Sequence, residues 1–177
     1  MERVIVREDR NWKLALMDRL RTACLDTPFA DSLNGRDAVG VHLAVFVEPY
    51  LSFMLHGQKT VESRFSINKH APYEQVGDGD ILVLKKSSGP VCGLCRITNV
   101  WFYRLDASSW LEIERYAQAL CMDGSVFWQK KRGASFATLM QVEAVQRLEE
   151  FDIDKDDPRS WVVVRPTPAI GQGTLLL

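Results

Sequence analysis

The sequence has no long apolar run. No stretch of about 18 apolar residues occurs in it, so nothing reads as a membrane-spanning helix. The first residues, MERVIVRED, lack the apolar core of a secretory signal. A cytoplasmic, reduced protein is expected, with no membrane partner. Charge of one sign is not in excess either. Lys and Arg number 22, Asp and Glu 23, and the net charge is -1. Binding along a nucleic-acid backbone takes several Lys/Arg–phosphate contacts, so any such contact must come from a local patch. No GxSxG, P-loop, strand-linked GxGxxG or HExxH pattern is present. No cofactor is expected.

Metal ligands are also sparse. His42, His56 and His70 show no metal-binding spacing. Cys24 and Cys121 are isolated. Cys92 and Cys95 form a CxxC, but within a strand pattern, where residues three apart face opposite ways. Asp152, Asp154 and Asp156 resemble the start of a calcium loop. The loop needs Gly at its sixth position and a bidentate Glu at its twelfth, and these positions hold Asp157 and Val163. No metal site is expected.

What is present suits one globular domain of 177 residues, 46% hydrophobic and 25% charged. Residues 10–25 place Trp12, Leu16, Leu20 and Ala23 at helical spacing, with Asp9 as a candidate cap. Residues 30–40 read as a polar connection. Together, residues 1–40 form an N-terminal helical extension. VHLAVFV at 41–47 is a buried strand. Pro49 to His56 makes a two-turn helix that Gly57 stops. Residues 60–65 alternate, with Val61, Ser63 and Phe65 on one side and Glu62 and Arg64 on the other. GDGD at 77–80 is a turn, and residues 81–103 form a hairpin. Ser109 and Glu112 form a capping box opening a helix to about Leu120, which Asp123-Gly124 breaks. Residues 135–143 favour a strand, 161–165 form the last one, and 166–177 are a tail. Such a pattern predicts an α+β fold, a small barrel with covering helices.

GQKTVESR, residues 57–64, is the segment with chemistry in it. Glu62 and Arg64 share a strand face about 6.6 Å apart, and Lys59 can swing toward them. Glu accepts from amino or hydroxyl groups, while Arg and Lys meet an anion or a carbonyl. The alternative is a solvated edge strand with a weak Glu–Arg pair. Lys85-Lys86 at a hairpin tip and Lys130-Lys131-Arg132 are small basic clusters. Tyr73, Trp101, Tyr103 and Trp128 are candidates for stacking on bases.

GQKTVESR matches the GxKxxExR signature of the ASCH domain, a branch of the PUA-like superfamily. LAVFVEPYLSFMLHGQKTVESRFS, GDGDILVLKKSSGPVCG, FWQKKRGASFATLMQVEAV and SWVVVRP resemble successive parts of that family, over residues 41–165. The resemblance implies a mostly antiparallel β-barrel flanked by helices. It also implies a cleft lined by Lys59, Glu62 and Arg64. Tyr73, Lys85 and Trp128, chosen for their residue type, are the further candidate ligand contacts. The implied partner is RNA or a nucleotide, as a single strand or a flipped base. Arg64→Ala is then expected to weaken RNA binding with a modest loss of stability. Two other readings stay open. Some family members remove the acetyl group of N4-acetylcytidine, with Thr where this chain has Glu62; others are linked to ribonuclease activity. In an enzyme, Lys59 and Glu62 would be catalytic. In a protein-interaction module, Glu62 and Arg64 would pair with no cleft above them. Oligomeric state is not legible.

Overall fold

The computed structural model describes residues 11–37, 39–122 and 124–168. Asp9, Asp123 and the tail beyond 168 lie outside the described residues. Six strands form one sheet: β1 (Val41–Phe46), β2 (Val61–Ser66), β3 (Ile81–Lys86), β4 (Val91–Arg104), β5 (Phe136–Phe151) and β6 (Trp161–Arg165). Their spatial order is β2-β5-β4-β3-β1-β6. β1 runs parallel to β3, with Leu43 opposite Val83. The other neighbouring pairs are antiparallel.

β1 and β3 are unbroken apolar runs because both of their faces are covered. Val41, Leu43, Ile81 and Val83 face one core, while Ala44, Phe46, Leu82 and Leu84 face another. α1 (Asn11–Ala23) and α2 (Ala30–Leu33) cover the first. The apolar stripe read at helical spacing lies there, with Trp12, Leu16 and Leu20 against the sheet. Each buried leucine contributes about 1.5–3 kcal/mol. α3 (Tyr50–Leu55) inserts Leu51 and Met54 into the second core. α4 (Ala107–Glu114), α5 (Ala117–Leu120) and α6 (Ser125–Lys131) follow β4. They bring Ile113, Leu120 and Phe127 to a third cluster with Val61, Ala137 and Leu139. The result is an α+β fold, a mixed sheet curled into an open half-barrel. Among the described residues no helix is long and apolar enough to cross a membrane.

Three local expectations are corrected. The helix after β4 starts one turn early, because Asp106 rather than Ser109 is its cap. The Asp106 carboxylate accepts from Ser109 N at 2.8 Å, and Ser109 Oγ accepts from Asp106 N at 2.8 Å. That helix then breaks after Glu114, and the second piece ends at Cys121 in a left-handed turn with φ 54°. The CxxC is the third. Register shifts between β4 and β5 bulge the strand near Val91 and Leu94. Each bulge inserts an extra residue and resets which face the chain presents. Cys92 and Cys95 therefore join the same core, while Val91 and Leu94 face the other. Burial raises the pKa of both thiols, and the charge of Glu62 raises Cys95 further.

The GDGD turn does more than reverse the chain. Asp80 is fully buried and accepts from Gly40 N at 2.6 Å, Gly77 N at 2.9 Å and the Thr167 hydroxyl. His42 Nε2 lies 2.9 Å from it. Four groups from three segments thus hold one carboxylate where β1, β3 and the chain after β6 meet. Burial pushes the Asp80 pKa up, but the hydrogen bonds from His42, Thr167, Gly77 and Gly40 outweigh it and leave it lowered.

Candidate nucleotide site

Gly57 ends α3 with φ 73°, a left-handed conformation that suits glycine. Gln58 N and Lys59 N then both donate to Phe53 O, at 2.9 and 3.0 Å. This tight turn drops Lys59 beneath β2, where it is 1% exposed. Its ammonium donates to Val61 O at 2.9 Å and Leu120 O at 3.0 Å, and lies 3.3 Å from Glu62 Oε2. The ammonium thus makes two hydrogen bonds to backbone carbonyls and one ion pair to Glu62.

Glu62 Oε1 lies 2.8 Å from Arg64 Nε. The guanidinium continues past it. Nη2 donates to Val45 O at 3.2 Å and Nη1 to Ser160 O at 3.4 Å. Its plane sits over the rings of Phe46 and Trp161. Lys59 and Arg64 thus flank one carboxylate from two sides. Two cations against one anion leave the cluster with a positive balance in a site mostly shielded from water, where charge acts strongly.

A hollow of about 220 Å³ opens over this cluster. It runs along the free edge of β2, so residues from both strand faces reach it: Glu62 and Arg64 from one, Ser63 and Phe65 from the other. Tyr50 of α3 and Phe127 of α6 stand beside it, with Lys131 on the rim. Ser63 Oγ is buried and has no hydrogen-bond partner among the described residues.

Of the residues read from the sequence, Lys59, Glu62 and Arg64 come together. Tyr73, Lys85 and Trp128 do not join them. Tyr73 is buried, edge-on to Phe102 and Phe136, because apolar neighbours on β4 and β5 claim its ring. Lys85 is tied to the Lys86 and Gly89 carbonyls of its own hairpin. Trp128 stands perpendicular to Trp110 and Phe127 and lines a separate depression. The lining residues missed from sequence were Tyr50, Phe127 and Ser63. Tyr50 carries the one usable signal, an aromatic in the helix that feeds the GQKTVESR turn. Its ring lies 5.9 Å from the Lys59 ammonium. Glu62 and Arg64 are paired, as an interaction module would have them, yet the hollow is open above the pair.

No protein-family model and no curated protein matches the chain. Solved structures do. The crystal structure of ASCH from Zymomonas mobilis superposes with a TM-score of 0.56 at 13% identity, covering 71% of this chain and 87% of that one. Two single-residue variants of the same Zymomonas mobilis protein give TM-scores of 0.53 at 12% identity, covering 71% of this chain and 88% and 90% of theirs. The α+β half-barrel is the fold of those ASCH structures.

Proposed function

We propose that this chain binds RNA or a nucleotide, with one base seated in the hollow over Glu62. The observation that carries the reading is the Glu62 carboxylate, buried at the floor of an open hollow and flanked by Lys59 and Arg64. As their shared counter-ion, Glu62 is an acceptor-only group, and amino or imino protons on a base edge complement it. Ser63 Oγ adds an uncommitted hydroxyl beside it. Tyr50 and Phe127 offer rings for stacking, which contributes about 1–3 kcal/mol per base. The ASCH-like fold supports the same reading by analogy.

The roles within the cluster shift from those read in sequence. Lys59 donates to two backbone carbonyls and Arg64 to two others, and both form ion pairs with Glu62. Both orient Glu62 rather than reach for a phosphate. Lys131 on the rim is the cation that meets an incoming anion. Lys59 is buried and committed to two backbone carbonyls and to Glu62, which favours binding over catalysis.

The test is titration of labelled single-stranded RNA, duplex RNA and free nucleotides into wild type and Glu62→Gln, with the fold of each checked by melting. Single strands or nucleotides should bind, and Glu62→Gln should weaken them at least tenfold. Equal binding by both proteins, or preference for duplex, overturns the reading. Incubation with labelled RNA and N4-acetylcytidine reports on turnover, which this reading does not predict.

A further inference from the structure

Next to the Glu62 hollow lies a second one, of about 500 Å³. The two share Arg64, Phe65 and Ser160, so they are neighbouring chambers of one groove. The chemistry of the second chamber differs from the first. Its lining holds Arg64, Lys69, His70 and Arg159 and no carboxylate. That is unusual in a chain of net charge -1. By contrast, the hollow between α1 and the chain after β5 is lined by Arg19 with Asp152, Asp154 and Asp156. The chamber is lined by the cations, while the carboxylates they pair with, Glu62, Glu74 and Asp157, stand outside its lining.

Trp161 adds an independent observation. It lines the second chamber and is 4% exposed, yet its indole N–H has no partner among the described residues. A buried donor without an acceptor costs about 1–3 kcal/mol, and an oxygen-rich ligand removes that cost. Beside the neutral polar residues Ser66, Gln75, Thr138 and Ser160, the lining offers an indole N–H, an ammonium, two guanidinium groups and an imidazole.

We propose that the second chamber is a phosphodiester subsite, so that the ligand is a strand of at least two nucleotides rather than a free mononucleotide. The proposal rests on the base being seated over Glu62. The strand leaves that hollow past Arg64, and its next phosphate lies among Lys69, His70 and Arg159, within the chamber that Trp161 lines. Lys69 is exposed and 3.6 Å from Glu74, an exchangeable surface pair that a phosphate displaces at small cost. Arg159 is exposed but holds the Asp157 carboxylate through Nε and Nη2, so a phosphate there shares the guanidinium with Asp157 rather than displacing it.

The experiment compares a 5′-phosphorylated mononucleotide with di- and tetranucleotides of the same base, and with inorganic phosphate, on the full chain at several salt concentrations. The dinucleotide should bind about tenfold tighter than the mononucleotide, as a charge-assisted contact supplies. The double variant Lys69→Ala with Arg159→Ala should lose that gain, flatten the salt dependence and keep the mononucleotide affinity. Equal wild-type affinity for mono- and dinucleotide overturns the subsite while leaving base binding intact. So does saturation by inorganic phosphate at the dinucleotide's concentration. Loss of mononucleotide affinity in the double variant also overturns it, because the two chambers would then not be separate. If no nucleotide of any length binds, the base reading over Glu62 fails and the subsite with it.

Discussion

Arg64 Nη2 lies 3.2 Å from the Val45 carbonyl oxygen, across the gap between the two ends of the sheet. β2 is one edge strand and β6 the other, with β1 beside it. A single guanidinium spans what hydrogen-bonded strands do not. That bridge gives Arg64 a part in stability as well as in the site. Arg64→Ala should cost about 2–3 kcal/mol, from two bonds made by a charged donor and the loss of a partner to Glu62. Arg64→Lys should recover only part, since an ammonium lacks the fork that reaches two carbonyls and a carboxylate. Urea unfolding measures both. A cost below about 0.5 kcal/mol for the alanine variant contradicts the bridging role.

Lys59 and Glu62 should behave as a coupled pair. Lys59→Met removes a buried cation and strands the Val61 and Leu120 carbonyls, at a cost of about 3–5 kcal/mol. Glu62→Gln alone leaves two cations facing an amide. In the double variant the losses should fall short of their sum by about 0.5–3 kcal/mol. Strict additivity in a double-mutant cycle argues that the 3.3 Å contact carries no energy.

Acid should loosen the junction held by Asp80. Its pKa is lowered from the ordinary 3.8, so the unfolded chain takes up this proton at a higher pH than the folded one. The stability it contributes is fully present above about pH 4 and is lost as pH falls through the lower folded value. Asp80→Asn should destabilise the protein at neutral pH and flatten the acid limb of a stability–pH curve. An unchanged slope in the variant places the acid sensitivity elsewhere.

Gly93 is a packing constraint. A Cβ built there would sit 2.6 Å from Gln146 O and 3.0 Å from Leu55 Cδ2. Neither β5 backbone nor the α3 contact yields freely in a close-packed interior. Gly93→Ala should lower stability by about 1–3 kcal/mol, whereas Gly133→Ala, with open space around it, should be near neutral. Thermal melts of the two variants side by side decide this.

The parts legible in the sequence were those governed by local rules. The stripe at Trp12, Leu16 and Leu20, the stop at Gly57, and the doubly covered runs of β1 and β3 all follow from periodicity and backbone preference. The convergence of Lys59, Glu62 and Arg64 followed from strand alternation plus one turn. Other features depend on long-range closure. The destination of the Arg64 fork is set by residues 19 and 96 positions away. GDGD read only as a turn, and the burial of Asp80 follows from β1 and the chain after β6 packing around it. The face shared by Cys92 and Cys95 depends on bulges, which strict alternation does not anticipate. Tyr73 and Trp128 were chosen for their chemistry alone; the rings of Phe102 and Phe136 took the first and the cluster beneath α4 to α6 the second.

The six strands stop one link short of a ring, and the missing link coincides with the Glu62 hollow. A finished circumference would have had no room there. Whatever occupies the opening touches β1 and β2 at once, so filling it adds to the bridge that Arg64 makes between them. Occupancy and rigidity should rise together by linkage, with ligand raising the unfolding temperature through the whole sheet.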